Sequence, residues 1–134
     1  MGQFQVVQRT KDGMFNATAL IKQWNTQPDL HTQKNGYVKK KDLDDYLSNK
    51  NTKLFIQTII ERENLDTPKL VYLKSRASRG DNAGTWMHPL LFIDFAMWIN
   101  PAFKYDVLKF VADQMIKYRN DAGLLSAVAK TTTK

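Results

Sequence analysis

Apolar and polar positions along the chain fall into blocks of different period. The densest apolar block runs from Leu90 to Ile99 and is interrupted by one charge, Asp94. A helix that is apolar around its whole circumference is a buried one, so this block predicts a central helix over Pro89 to Ile99. Pro89 has no N–H to donate and suits the first helical turn, with His88 beside the cap. Asn100-Pro101 repeats the device: Asn100 caps and Pro101 opens a second helix. Phe103, Val107, Leu108, Val111, Met115 and Tyr118 then recur at helical spacing. They predict a long amphipathic helix to Asn120 with that stripe buried, and Gly123 marks its end.

The N-terminal half is built from shorter pieces. Phe4 to Arg9 is rich in β-formers, and Asp12-Gly13 between such runs predicts a hairpin, because both turn residues tolerate positive φ. Asn16 is a good N-cap for a first helix in which Leu20, Ile21 and Trp24 make the apolar face. Asn25 to Gly36 is a loop of turn formers. Asp42 to Leu47 predicts a short helix with its acids in the first turn, where the helix dipole favours them. Ser48-Asn49-Lys50-Asn51 is a polar turn. Thr52 to Asn64 predicts an amphipathic helix: Phe55, Ile56, Ile59 and Ile60 inward; Lys53, Gln57, Glu61 and Asn64 outward. Leu70 to Leu73 predicts a strand, Lys74 to Gly84 a polar loop, and Thr85-Trp86-Met87 the returning strand.

Helix, polar turn, helix and then a hairpin with a basic tip is the outline of a winged helix-turn-helix. The expected fold is therefore α+β, with an N-terminal β-hairpin, a β-hairpin wing and a buried central helix. One domain over residues 1–121 accounts for the patterned part. Residues 122–134 end in Lys-Thr-Thr-Thr-Lys and carry no packing signal, as a polar C-terminal tail or the start of a linker.

Charge changes this picture more than composition does. The 134 residues carry a formal net charge of +7, which favours a polyanionic partner, nucleic acid before a membrane surface. With no cysteine there is no disulfide framework and no thiolate metal site. The start lacks the basic and long apolar regions of a signal peptide, and Pro89 to Ile99 is too short to span a bilayer. The setting expected from this is reducing and intracellular, with no membrane role.

Two stretches carry a resemblance. Asp12-Gly13-Met14-Phe15-Asn16-Ala17-Thr18-Ala19-Leu20-Ile21-Lys22 looks like the first signature of the KilA-N domain, whose relatives include fungal APSES transcription factors. Gly84-Thr85-Trp86-Met87-His88-Pro89-Leu90, the apolar helix and Trp98 resemble the second. His88-Pro89 and Asn100-Pro101-Ala102-Phe103 look more like the phage and large-DNA-virus branch than the fungal one. The resemblance covers roughly Phe4 to Val111. It implies a double-stranded DNA-binding domain of a phage-type regulator, cytoplasmic in a bacterial host. Such domains are often joined to a second domain or act beside a regulator protein. It implies no catalysis and no cofactor. The arginines of the hairpin tip depart from the glycine- and glutamine-rich fungal pattern, so base preference is not carried over.

The candidate DNA contacts follow from this outline. The N-terminal part of the second helix would enter the major groove with Lys50, Asn51, Thr52, Lys53 and Gln57. On the hairpin, Arg76 or Arg79 would enter the minor groove, with Lys74, Ser78 and Asn82 beside them. Lys39, Lys40 and Lys41 would hold the backbone without reading sequence. Other features have simpler explanations. His88 reads as a cap, since only His31 could join it in a metal site. Asp42, Asp44 and Asp45 read as a helical first turn and not as a nuclease cluster. Asp94 on the buried helix needs a partner, a lysine or a backbone donor. Two rival functions stay open: an antirepressor-like protein-interaction module working through the C-terminal helix, and a DNA-targeting accessory domain of a nuclease. No heptad argues for a particular oligomeric state.

Overall fold

Capping side chains set where each helix begins. In the computed structural model, which describes residues 4–27, 41–75 and 83–120 (backbone alone for 118–120), every helix start has such a residue. The Asn16 side-chain oxygen accepts the Ala19 N–H at 3.0 Å and opens α1 (Ala17–Asn25). Asp42 accepts the Asp44 N–H at 2.9 Å and opens α2 (Leu43–Ser48). Asn49 ends α2 and opens α3 (Lys50–Arg62), accepting the Asn51 N–H at 2.8 Å. Nδ1 of His88 accepts the Leu90 N–H at 3.1 Å before α4 (Pro89–Ile99). Asn100 accepts the N–H groups of Ala102 and Phe103 at 3.0 and 3.2 Å before α5 (Pro101–Asn120). Each cap satisfies donors that the helix itself cannot.

Three short strands complete a mixed α+β arrangement of five described helices and one antiparallel sheet. β3 (Gly84–Met87) lies between β1 (Phe15–Asn16) and β2 (Tyr72–Ser75). Phe15 faces Met87 on one side of β3, and Tyr72 faces Met87 on the other. Thr85, Trp86 and Met87 are all buried; successive residues point to opposite faces, so both faces of β3 are covered. The Arg9 guanidinium lies 4.5 Å from the centre of the Trp86 ring, a cation–π contact that covers it from one side.

By internal contacts the chain divides into two units, Met1–Ile99 and Asn100–Lys134. In the first, α1 packs on β3 and α4, α2 on α3 and α1, and α3 on α4. Leu91, Phe95, Ala96 and Ile99 of α4 are buried with Leu20, Tyr46, Ile59 and Val71. Phe15 stacks on Phe92 at 4.9 Å between ring centres, and Tyr46 meets Phe95 edge-on at 5.1 Å. In the second unit the described element is α5.

Several expectations are corrected. Of the Asp12-Gly13 turn only Gly13 has positive φ (75°), and the expected N-terminal hairpin is reduced to an isolated bridge between Gln8 and Phe15, with no strand over Phe4 to Arg9 and β1 paired to β3 instead. The turn between α2 and α3 is Asn49 alone, and α3 starts at Lys50, because Asn49 serves both helix ends at once. Asn64 lies past α3 with φ 57°, and the Leu65 N–H bonds back to the Ile60 carbonyl at 2.9 Å, a left-handed C-terminal stop. β2 starts at Tyr72, since Pro68–Leu70 form a 3-10 turn capped by Thr67. α4 is not buried all round: Leu90 and Ile93 are exposed. The α5 stripe is not buried either. Leu108, Val111 and Met115 are exposed, as are Tyr105, Phe110 and Ile116. The side chain of Tyr118 lies outside the described residues.

Candidate nucleic-acid interface

Two neighbouring helices make opposite electrostatic choices. α2 carries Asp44 and Asp45 in its first turn, where negative charge is stabilised by the helix dipole. α3 has no acid in its first turn and places Lys50 and Lys53 there, against the dipole. A helix N-terminus with lysines around it concentrates positive potential at one place, as an anion site requires.

The rest of α3 is two-faced. Thr52 and Ile59 are buried on the inner side. Lys50, Asn51, Lys53, Leu54, Gln57 and Thr58 are exposed on the outer side. The Gln57 amide N–H donates to Glu61 Oε1 at 3.2 Å, one turn on, which orients that amide on the surface. Thr52, expected among the DNA contacts, is corrected here: it is 4% exposed and its hydroxyl bonds the Tyr46 side chain. Its β-branched methyl suits the packed side, and the hydroxyl has a buried partner there. Leu54 is the residue the periodicity does not assign. It is 58% exposed, more than any other large apolar residue described in the first unit. Its position on the same face as Lys50, Gln57 and Thr58 was the available signal.

Tyr46 ties α3 to the core. Its hydroxyl donates to Asp94 Oδ2 at 2.7 Å, and its ring lies 5.4 Å from Trp98. Burial, then the adjacent Asp94 carboxylate, pushes the Tyr46 phenol well above the ordinary tyrosine range, so it stays protonated and donating. Asp94 thus has the partner its burial demands, a phenol from α2 instead of a lysine or a backbone group.

The basic candidates separate. Lys74 is exposed on β2, its ammonium 3.6 Å from Asp44, so the hairpin base sits beside α2. Lys41 does not extend freely: its N–H donates to Asn25 Oδ1 at 2.9 Å, its carbonyl accepts from Asn25 Nδ2 at 2.8 Å, and its ammonium lies 4.9 Å above the Trp98 ring. Lys39, Lys40, Arg76, Ser78, Arg79 and Asn82 lie outside the described residues.

The two stretches that carry the resemblance meet each other. Asn16 Nδ2 donates to the Ala83 carbonyl at 3.2 Å, and the Thr85 N–H donates to Thr18 Oγ1 at 2.9 Å. Gly84 has φ 114°, and a Cβ there would stand 2.9 Å from Thr18 Cβ and 3.1 Å from Asn16 Oδ1. Ala17 is fully buried between them in sequence. The first stretch therefore caps α1 with Asn16 and seats β3 with Asn16 and Thr18.

A three-stranded antiparallel sheet under a short helix pair and a buried helix, with a lysine-edged helix end at the surface, defines a small α+β domain. The KilA-N domain model matches residues 1–117, and the chain belongs to that family, which is generally linked to DNA binding. Two KilA-N domain-containing proteins of Acanthamoeba polyphaga mimivirus are similar to it. One is 31% identical over 102 residues, covering 76% of this chain and 26% of the relative. The other is 27% identical over 117 residues, covering 84% of this chain and 30% of the relative. The chain spans less than a third of the length of either relative. Both come from a large DNA virus, the second of the two groups to which the His88-Pro89 stretch bears a likeness. No solved structure matches. Among the described residues no helix is long and apolar enough to cross a membrane.

Proposed function

We propose that the domain binds double-stranded DNA as a winged helix-turn-helix, with α2 and α3 as the helix pair, α3 in the major groove and the β2–β3 hairpin as the wing. The observation that carries this reading is the outer face of α3. A helix locked to the core by Thr52 and Ile59 presents Lys50, Asn51, Lys53 and Gln57 to solvent from an electropositive end. Asn and Gln can pair with adenine edges, and the lysines with guanine or phosphate. Lys74 at the hairpin base, beside α2, supports the wing assignment, and the net charge of +7 suits a polyanion. The role is binding, without catalysis or a cofactor, in a regulator encoded by a virus or phage.

Titration onto a pool of random-sequence duplexes at several salt concentrations, with single strands alongside, tests it. Steeply salt-dependent retention of duplex with an enriched motif is the expected result. No duplex binding at low salt would end the proposal.

A second reading is favoured by one observation. α5 exposes Tyr105, Leu108, Phe110, Val111, Met115 and Ile116, a broad apolar surface suited to a protein partner, as in an antirepressor. Reversing the charges of Arg76 and Arg79 separates the two. DNA binding is lost under the first reading, and partner binding persists under the second.

A further inference from the structure

Leu54 stands where a polar residue would be cheaper. At 58% exposure it projects from α3 among Lys50, Asn51, Gln57 and Thr58, each three or four residues away and each exposed and polar. One leucine inside a polar ring is too small an apolar area for a protein interface core, which needs a contiguous patch. It is the right size for one methyl group. In the major groove the C5-methyl of thymine is the one apolar feature that a base pair presents.

A second observation points to the same base pair. Gln57 follows Leu54 by three residues, so the two side chains are neighbours on the helix surface. One N–H of the Gln57 amide is held by Glu61 at 3.2 Å. Among the described residues its carbonyl oxygen and its other N–H have no partner. That pair of groups, one acceptor and one donor, is the complement of adenine N6 and N7. Glu61 holds the amide before DNA arrives, so less side-chain entropy is lost on binding.

We infer that Leu54 and Gln57 together make α3 a reader of A·T pairs, Leu54 against the thymine methyl and Gln57 on adenine. This rests on the DNA-binding reading above and specifies the base pair it recognises. Leu54 is a specificity determinant and contributes nothing to phosphate contact.

The test uses two random-sequence duplex pools, one made with thymine and one with deoxyuridine, which lacks only the methyl. Wild-type protein and Leu54→Ala are titrated onto both at fixed salt. Wild type should bind the thymine pool's enriched sequences about fourfold more tightly per methyl contacted, the fold-change that burying one carbon group gives. Leu54→Ala should bind both pools alike and keep the wild-type salt slope. Gln57→Ala should lower the share of A·T pairs in the enriched motif. Equal affinity of wild type for both pools, or thymine preference retained in Leu54→Ala, would overturn the inference and leave DNA binding standing. Salt-dependent binding with no motif would also overturn it. So would a dimer in sedimentation that Leu54→Ala dissolves with no change in thymine preference. Absence of binding to either pool would instead remove the DNA-binding reading itself.

Discussion

The seam between Asn16–Thr18 and Gly84–Thr85 and the outer face of α3 are built on opposite rules. At the seam the side chains of Asn16 and Thr18 bond within the protein: Asn16 caps α1 and holds Ala83, while Thr18 holds Thr85. On the outer face of α3 the polar groups point to solvent, and one of them, Gln57, is oriented by its neighbour Glu61. Residues by which the chain resembles its family therefore keep the frame together. Residues proposed to meet DNA are carried by that frame and are not needed to form it. A family resemblance of this kind reports the scaffold more directly than the surface it presents.

That contrast can be broken most sharply at Gly84. A side chain there meets Thr18 Cβ at 2.9 Å with the backbone at φ 114°, so overpacking and backbone strain add. Gly84→Ala should lower the unfolding free energy by roughly 2–4 kcal/mol, read by denaturant unfolding. Next in size is Tyr46→Phe, which removes the donor to Asp94 at 2.7 Å. About 1–3 kcal/mol of stability should go with it, because the carboxylate loses its hydrogen bond in a partly buried place. DNA affinity per folded molecule should change less than stability.

Exposed lysines should show the reverse. Replacing Lys50 and Lys53 together by alanine should leave stability within about 0.5 kcal/mol of wild type. The salt slope of duplex binding should fall by about one per phosphate contact removed. A stability loss as large as that of Gly84→Ala would mean that the outer face belongs to the frame after all.

The smallest effect is on pH. The Arg9 guanidinium, hydrogen-bonded to Asp12 at 2.8 and 2.9 Å, holds that carboxyl below its ordinary value of 3.8. Its stabilising contribution is complete above that value and is lost as pH falls below it, because the unfolded chain takes up the proton first. Unfolding of wild type and Asp12→Asn compared at pH 5 and pH 3 should show a steeper acid loss in wild type. At the other limit Tyr46 keeps its proton in the fold when the unfolded chain has lost it. Stability should therefore fall as pH rises past the ordinary tyrosine value, and Tyr46→Phe should lose that slope.

Local chemistry was enough for most helix starts, though not for α3, whose start at Lys50 depends on Asn49 serving two helix ends. Asn16, Asp42 and Asn100 cap through atoms two or three residues away, and Pro89 and Pro101 fit first turns by their own geometry. Such contacts are complete within a short stretch, so the amino-acid order determines them. The hairpin β2–β3, the amphipathic α3 and the buried part of α4 were also readable from hydrophobic period. What tertiary structure decided involves partners distant in sequence. β1 pairs with β3 across about 70 residues, and Asp94 finds Tyr46 at a separation of 48. Thr52 turns inward because Tyr46 offers its hydroxyl a bond, which no local pattern announces. Of the apolar residues expected inward on α3, Ile59 is buried while Phe55, Ile56 and Ile60 are only half-buried. Period alone marks a residue as apolar; only the packed neighbours determine whether there is room for it inside.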